Sequence, residues 1–517
     1  MVADKITSWV KNNKLILGIV FLALFLRLFR ISSYMTFLGD EGRDALVWLR
    51  MVKNFKFTLI GPMTSIGNMY LGPLFYYLML PFYILMGTTG PSIGTALFAG
   101  ATTFFLWYFG REWFSPKVGL AASLLYAVSP VAIVLSRSSW NPNVMPFFAL
   151  LIIWGIWQFW QKDKYYWLAV EGVLLSFAIQ SHYLGILLVP VVGIFFIIKL
   201  ILLCTPARNA SKISDQSRIR VRRLVLACVA GGLSFALLTV LPLIWFDLRH
   251  NFINYKSFYK FFSERQTTVN LKAYKAIPQI WPLWQNLVTR LLAGKNEIFG
   301  FWISIFTGSF LIVFIISCLL VYRDKQIVRK TELLLALWLI IGLTGMGLYK
   351  QHIYDHYFGF LYPAVFLIFA VILETLSRFK KLGKFLATGL FLLVLILSLI
   401  ENPLKYPPSC QMEKTAEISQ KIAGEVQSQP FNLGLIAKQN YDAGYRYFLE
   451  KWGKKAVEID AQKADETITD QLFVVCEIQD CQPVGHPQAE IANFGWSKIE
   501  QEWEFPWGTK LFKLVRY

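Results

Sequence analysis

Apolar runs of about 17–25 residues recur through the first 400 residues, and a helix of that length crosses a hydrocarbon layer about 30 Å thick. Charged or helix-breaking connections separate the runs, among them Ser115-Pro116 and Asn141-Pro142. Each run therefore predicts a transmembrane helix, about eleven in all. The predicted spans lie near 14–30, 92–110, 118–136, 143–160, 165–181, 184–203, 224–247, 299–322, 331–349, 356–376 and 384–400.

One further apolar run, residues 71–86, is not assigned as a transmembrane span. It contains Pro73 and Pro81, and a proline inside a helix removes a hydrogen bond and disfavours a straight span. Counting it would also invert the orientation of every later loop. We therefore predict an interfacial or re-entrant helix on the outer surface.

The orientation follows from basic residues, which concentrate in alternate connections and mark the cytoplasmic side of a membrane protein. The opposite short connections carry Arg137, Lys350 and little else. The N-terminus is predicted inside, its first apolar run uncleaved, and the C-terminal tail outside. The residues predicted to be cytoplasmic are Arg111, Lys117, Lys162, Lys164, Arg208, Lys212, Arg218, Arg220, Arg222, Arg223, Arg323, Lys325, Arg329, Lys330, Arg378, Lys380, Lys381 and Lys384.

The predicted fold is an all-α polytopic membrane domain, residues 1–400, followed by an extracytoplasmic α/β domain, residues 401–517. The membrane domain has two long external loops, 31–91 and 248–298. Apolar alternation in the tail predicts helices and strands in a mixed order. The helices are predicted at 412–426 and 441–451, and the strands at 431–437, 456–459, 472–478, 499–505 and 510–516. Cys476 and Cys481 lie close enough in sequence for a disulfide if the tail is exported.

Composition supports a membrane protein and argues against nucleic acid as a partner. The chain of 517 residues is 56% hydrophobic and only 16% charged, whereas soluble domains carry about 25% charged residues. The net charge of +19 could suggest nucleic acid binding. Because the basic residues sit between apolar runs, membrane topology and membrane lipids account for them instead.

The first external loop opens with an acidic cluster, Gly39-Asp40-Glu41-Gly42-Arg43-Asp44. A carboxylate at a membrane surface can accept a proton from a hydroxyl nucleophile, which predicts a catalytic site. The alternative is a solvated loop or a helix N-terminus, which also favours acids. Taken alone, so short a motif favours the alternative.

Further polar residues fall at the outer ends of the predicted spans. Four of the five histidines lie on this side, and ionisable residues at membrane depth are functional candidates. Arg27 and Arg30 end the first span, where they could meet a lipid phosphate or simply extend their charge to the surface. The predicted substrate- or phosphate-binding residues are Arg43, Asp44, Arg137, His182, Arg249, His250, Lys350 and His356.

The sequence predicts neither a metal nor another cofactor. His352 and His356 have metal-ligand spacing if helical, but no glutamate accompanies them as in HExxH sites. There is likewise no phosphate-cradling loop and no CxxC motif.

Several of these motifs resemble the membrane-embedded GT-C glycosyltransferases, and more narrowly glycosyltransferase family 39, over about residues 1–400. That family includes protein O-mannosyltransferases and the aminoarabinose transferase of lipid A. The matching features are the Asp40-Glu41 pair after the first span and the Gly-Pro-Leu start of the interfacial helix. The stretches RxxFSPKVGLAASLLYAVSP (111–130), SRSSWNPN (136–143) and HYFGFLYPA (356–364) also fit.

The resemblance implies an inverting transfer of a sugar from a polyprenyl-phosphate donor to an acceptor hydroxyl on the outer face. It implies Asp40 as the base and Glu41 as its acidic neighbour, with no obligatory metal. The acceptor would be a protein, a lipid or a glycan. One departure is that relatives often place a basic residue or histidine before the Pro-Leu, where this chain has Gly72. The phosphate is then predicted to contact Arg137, Arg249, Lys350 or His356.

Two other functions stay open. One is another GT-C enzyme, such as an oligosaccharide transferase or polymerase, although no metal-binding acidic set is evident. The other is a non-enzymatic lipid-sugar flippase or transporter, which would favour charges near the midplane and inverted repeats. Neither feature is apparent in this sequence.

Overall fold

A computed structural model describes residues 2–64, 69–205, 214–264, 268–321 and 330–517. Contacts divide the chain into two compact units. The first unit comprises Met1–Phe29, Thr58–Met79 and Ile93–Tyr406, and the second comprises Arg30–Phe57, Leu80–Ser92 and Pro407–Tyr517. Two parts of the predicted external loop 31–91 therefore group with the tail, whereas the predicted division at residue 400 assigns them to the membrane domain.

Helices account for most of the chain. The first eleven are α1 (Val2–Asn12), α2 (Lys14–Leu28), α3 (Ile31–Tyr34), α4 (Gly39–Asn54), α5 (Leu74–Met86), α6 (Gly90–Trp113), α7 (Pro116–Val128), α8 (Pro130–Leu135), α9 (Met145–Gln161), α10 (Trp167–Ser181) and α11 (Leu188–Cys204). The next eight are α12 (Asp215–Phe235), α13 (Leu241–Arg249), α14 (Ile253–Ser263), α15 (Ile277–Leu292), α16 (Glu297–Val321), α17 (Lys330–Gly347), α18 (Tyr362–Ser377) and α19 (Lys380–Ile400). The tail adds α20 (Gln411–Glu425), α21 (Ala443–Lys451), α22 (Ala464–Thr467) and α23 (Ala489–Phe494).

The helical membrane fold predicted from the apolar runs is confirmed, and the protein is a multi-pass membrane protein. Within the described residues, seven helical stretches are long and apolar enough to cross a membrane. They are Leu74–Trp113, Asn141–Gln161, Tyr183–Cys204, Asp215–Arg249, Glu297–Ile316, Asp355–Ser377 and Lys380–Lys405. The other predicted spans coincide with the shorter helices α2, α7, α10 and α17. The count of eleven stays a prediction, and Arg208, Lys212, Arg323, Lys325 and Arg329 lie outside the described residues.

The helix predicted to lie on the surface, α5, is distinct from α6. It has 13 residues with Pro81 inside, and at about 1.5 Å per residue it is about 20 Å long, too short to span alone. Gly87 then adopts φ +65°, which breaks the helical path before α6 begins. Because α7 has the same length and coincides with a predicted span, the interfacial position of α5 stays a prediction.

A broken helix explains the conformation of Arg27. Because Pro130 has no N–H, α7 ends at Val128 and the carbonyls of Tyr126 and Ala127 need other donors. The Arg27 guanidinium donates to them at 3.3 and 2.9 Å, and to the Ser136 hydroxyl at 2.8 Å. Arg27 is fully buried. It therefore neither extends to the surface nor reaches a lipid phosphate from there.

The tail forms the predicted α/β fold around a four-stranded sheet. The strands are β1 (Asn432–Ile436), β2 (Gln471–Cys476), β3 (Ser497–Glu504) and β4 (Lys510–Arg516), in the order β1-β2-β4-β3. β1 and β2 are parallel, and the other pairs are antiparallel. The strand predicted at 456–459 is wrong, because Val457 forms only an isolated bridge with Asn432.

Helices cover both faces of this sheet. On one face, α20 and α21 bury Ile418, Ile422, Tyr445 and Leu449 against Leu433 of β1. On the other face, the following residues pack together: Ile491 and Phe494 of α23, Leu472 and Val474 of β2, and Phe512 of β4. Successive side chains of β1 and β2 point to opposite faces of the sheet and therefore pack into two separate cores.

Candidate active site

The acidic motif of the first loop forms the N-terminus of α4. The Glu41 carboxylate accepts the backbone N–H of Leu38 at 3.2 Å and the hydroxyl of Thr36, which caps the helix. Burial raises the pKa of Glu41 to about 7, and the charges of Asp40 and Asp44 act in the same direction. The predicted acidic neighbour is therefore a buried capping group.

Asp40 is the accessible carboxylate of the cluster. Arg43 donates from Nη1 to Asp40 at 2.7 Å, and from Nε and Nη2 to Asp44 at 3.0 and 2.8 Å. The Asp44 side chain is fully buried, whereas that of Asp40 is 35% exposed. Charge-assisted bonds to one guanidinium thus fix the orientation of Asp40 while leaving it open to a substrate.

The two glycines of the motif allow α21 to approach α4. A Cβ on Gly39 would overlap the ring of Tyr441, and a Cβ on Gly42 would lie 2.5 Å from the Cα of Gly444. Neither position tolerates a side chain without movement of α4, of α21 or of Tyr441 just before α21. The spacing of three residues, which puts both glycines on one helical face, was the only sequence signal of this contact.

In the first unit, two predicted residues meet in an aromatic cluster. The rings of His182 and His356 lie 5.9 Å apart between centroids. His182 stacks on Tyr183 at 4.3 Å and contacts Tyr357 at 4.6 Å, and His356 contacts Trp140 at 4.1 Å. Residues from three separate connections therefore form one cluster of rings with polar edges.

The SRSSWNPN stretch is held by buried main-chain contacts. Asn141 donates to the carbonyl of Ser181 at 2.5 Å, next to His182. Arg137 is only 2% exposed, and its Nη2 donates to the carbonyl of Phe29 at 2.7 Å. This bond satisfies a carbonyl at the C-terminal end of α2. The predicted contact of Arg137 with a phosphate stays a prediction.

The contacts at the start of α5 explain why a glycine, rather than a basic residue or histidine, stands at position 72. The Gln180 side chain accepts the N–H of Leu74 at 3.0 Å and donates to the Thr239 hydroxyl at 2.9 Å. A Cβ on Gly72 would overlap that Gln180 amide. Gln180 therefore occupies the space beside this position, and sequence reasoning missed it because an amide at a span end carries no distinctive pattern.

Three other predicted residues have separate surroundings. Arg249, the last residue of α13, lies over the ring of Trp245 at 4.8 Å, and His250, which follows α13, stacks on Phe246 at 4.0 Å. The backbone N–H of Lys350 donates to Thr268 at 3.0 Å, and its side chain is exposed. Their predicted binding roles stay predictions.

An ion pair that the sequence did not indicate joins α15 to the segment before α18. The Arg290 guanidinium donates from Nε to both carboxylate oxygens of Asp355, at 3.1 and 3.0 Å. The Tyr362 hydroxyl donates to the Asp355 carbonyl at 2.7 Å. This arrangement fixes the chain immediately before His356.

The histidine spacing considered for a metal is not helical. His352 precedes the 3₁₀ segment Asp355–Leu361 and contacts Tyr354 edge-on at 4.5 Å, while His356 contacts Trp140. In the part of the chain that the structure describes, no three His, Cys, Asp or Glu side chains are grouped as a metal site would require.

The fold is that of a polytopic helical membrane protein with an appended α/β unit. Residues 71–209 match the family model described as dolichyl-phosphate-mannose-protein mannosyltransferase. The resemblance to GT-C glycosyltransferases predicted from the sequence is thus confirmed. No curated protein sequence matches the chain.

Solved structures extend the likeness in fold over nearly all of the chain. ArnT from Cupriavidus metallidurans bound to undecaprenyl phosphate superposes with a TM-score of 0.60 at 11% identity, covering 98% of each chain. Its apo state gives a TM-score of 0.57 at 12% identity, again over 98% of each chain. The archaeal oligosaccharyltransferase AglB from Archaeoglobus fulgidus gives 0.50 at 11% identity, covering 90% of this chain and 70% of that one. At such identities the likeness concerns the fold.

Proposed function

We propose that the protein is a membrane glycosyltransferase that moves a sugar from a polyprenyl-phosphate donor to an acceptor hydroxyl on the outer face. The observation that carries the proposal is Asp40, a partly exposed carboxylate oriented by Arg43 beside two buried acids. A general base needs this combination of fixed geometry and access to its substrate.

The donor class is supported by the proteins with the same fold. The ArnT structure contains undecaprenyl phosphate, and the AglB structure contains a dolichol-phosphate and an inhibitory peptide. The family model that matches residues 71–209 is described by a dolichyl-phosphate-mannose donor. We infer a polyprenyl-phosphate sugar here, with no metal and no nucleotide sugar.

In the proposed reaction, the Asp40 carboxylate accepts the proton of the acceptor hydroxyl. The hydroxyl oxygen forms a bond to the anomeric carbon from the face opposite the phosphate. The bond between that carbon and the phosphate oxygen breaks, and polyprenyl phosphate leaves with the electron pair. The product has the inverted anomeric configuration. The residues predicted to contact the leaving phosphate and stabilise it are Arg137, Arg249, Lys350 and His356.

The proposal is tested by replacing Asp40 with Asn in purified protein. Membranes of the source cells supply donor and acceptors, and released polyprenyl phosphate is quantified by mass spectrometry. We expect Asp40→Asn to lower turnover by about a thousandfold, because loss of a general base typically costs a factor of 10²–10⁴. Glu425→Gln is the matched control, a partly buried acid in α20 that pairs with Lys421. Undiminished turnover in Asp40→Asn would rule out the proposed role.

The outer-face location is tested separately with single cysteines in a background without reactive native cysteines. Asp460→Cys lies at an exposed position of the tail, and Lys162→Cys lies at a predicted cytoplasmic connection. We expect an impermeant thiol reagent to label position 460 in intact cells and position 162 only after lysis. The reverse labelling pattern would show that the orientation is opposite to the proposed one.

A further inference from the structure

A cavity of about 660 Å³ lies in the second unit at the carboxyl ends of β1 and β2. Its lining comes from the loops that follow these two strands and from the residue that precedes α4. The lining residues are Leu38, Lys438, Gln439, Asn440, Glu477, Ile478, Gln479 and Asp480. We refer to it as the strand-end cavity.

The sheet topology creates this cavity. β1 and β2 are adjacent and parallel, so their carboxyl ends meet at the same edge. From β1 the chain continues to α21 on one face of the sheet, and from β2 it continues to α23 on the other face. Adjacent parallel strands whose connections diverge to opposite faces open a crevice, and such crevices are where open α/β sheets bind ligands.

The cavity wall is pre-organised on its polar side. Glu477 accepts the Asn440 amide at 2.8 Å and the Tyr445 hydroxyl at 2.6 Å. The loop carrying Gln479 and Asp480 is closed by a disulfide between Cys476 and Cys481, the pairing that their short spacing allows. Amide and carboxylate groups are thereby held around the opening before any ligand arrives.

The chemistry of the lining favours a neutral polyhydroxylated ligand. Vicinal sugar hydroxyls both donate and accept hydrogen bonds, which matches side-chain amides and carboxylates in close proximity. The lining contains one lysine, Lys438, and two carboxylates, Glu477 and Asp480. This excess of negative charge would repel a phosphate or another anion. The ring of Tyr441, 65% exposed, directly follows this lining and offers an apolar surface for the C–H face of a sugar.

The cavity is connected to the proposed base through α4. Leu38 lines the cavity and is also the residue that precedes α4, two positions before Asp40. Tyr441 packs against Gly39, the first residue of the same helix. A glycan held in the strand-end cavity would therefore lie next to the helix end that carries Asp40.

The geometry points to the strand-end cavity as a binding site for the glycan portion of the acceptor, with neutral sugar hydroxyls as the recognised groups. This inference rests on the proposed transferase function for its role, but binding can be measured without turnover. The acceptor class it selects is a neutral glycan rather than a peptide or a phosphorylated lipid.

The test uses labelled full-length protein in detergent on an array of neutral oligosaccharides, phosphorylated glycans and serine- or threonine-containing peptides. The strongest neutral oligosaccharide is then titrated against Gln479→Ala and Asp480→Asn. Loss of one hydrogen bond to a ligand is expected to raise Kd about tenfold. The matched controls are Gln501→Ala and Asp465→Asn, exposed residues of β3 and α22, which should leave Kd unchanged.

Each outcome bears on one proposal. Tenfold weaker binding in the cavity variants, with binding retained in Asp40→Asn, supports the site. Binding to peptides or phosphorylated glycans alone overturns the neutral-glycan assignment, and no binding, or equal Kd in all variants, overturns the site itself. Absence of sugar transfer by the wild-type protein would overturn the proposed function while leaving the binding result intact.

Discussion

Asp40 and Asp44 both bind Arg43, whose guanidinium donates to one carboxylate oxygen of each at 2.7 and 2.8 Å. One of the two acids is fully buried and the other is partly exposed. The buried acid therefore anchors the arginine, and the arginine in turn orients the accessible acid. Arg43 acts as a positioning residue in this arrangement.

Replacing Arg43 with Gln should reduce both turnover and stability. Turnover should fall about a hundredfold because misplacement of a reacting group by about 1 Å has that effect. Stability should fall by about 3–5 kcal/mol because the buried Asp44 charge loses its ion pair with Arg43. Steady-state turnover and thermal unfolding in detergent measure the two effects.

A second substitution separates the two effects of Arg43. In the double variant Arg43→Gln with Asp44→Asn, the buried charge is gone, so stability should recover while turnover stays low. Recovery of both would mean that Arg43 acts only in folding. Arg50→Gln is the control on the same helix, because Arg50 pairs with Glu450 at 2.8 Å away from the acidic cluster and should leave turnover unchanged.

Gly42→Ala should destabilise the packing of α4 on α21. The added Cβ would lie 2.5 Å from the Cα of Gly444, and backbone atoms cannot move aside as a flexible side chain can. Overpacking of this kind typically costs about 1–3 kcal/mol, so the unfolding temperature should fall. Gly424→Ala in α20 is the matched control, because nothing lies within 4 Å of its added Cβ. Equal unfolding temperatures for the two variants would contradict the close approach.

The sequence predicted the elements that depend on local pattern. The apolar runs placed the membrane helices, and alternation placed β1, β2, β3 and β4 within about two residues, since both signals lie in neighbouring positions. Arg27 was misplaced at the surface because its acceptors, such as the carbonyls of Tyr126 and Ala127, lie about a hundred residues away in sequence. A broken helix and its donor cannot be matched from a single sequence.

Only part of the candidate site was predicted, because its contacts also join residues that are distant in sequence. Asp40 and Glu41 follow a span and were singled out, but their different burial depends on how α4 packs. His182 and His356 were both named, whereas their contact depends on the folded connections. Gln180 and Arg290 were missed because their partners are distant in sequence.

Stability should depend on pH through Glu41. Its ordinary pKa of 4.5 is raised by burial to about 7 in the folded protein, so between these values the unfolded chain loses a proton that the folded chain retains. The stabilisation from protonated Glu41 is complete below pH 4.5 and is lost as the pH rises through about 7. Unfolding temperatures should thus fall between pH 5 and 8 more steeply in the wild type than in Glu41→Gln, which keeps the capping oxygen. Parallel slopes would contradict the raised pKa, and Glu425→Gln should retain the wild-type slope.

Arg27 provides the most direct test of the helix break in the first unit. Arg27→Met keeps the length of the side chain but leaves the carbonyls of Tyr126 and Ala127 without their donor, where membrane lipid offers no water to replace it. Each unsatisfied group costs about 1–3 kcal/mol, so the unfolding temperature, measured by size-exclusion chromatography after heating, should fall clearly. Arg27→Lys should also be destabilised, because one ammonium cannot reproduce the planar set of donors. The control is Lys14→Gln, an exposed residue at the other end of α2. If Arg27→Met were as stable as that control, the guanidinium would not be what holds the broken helix together.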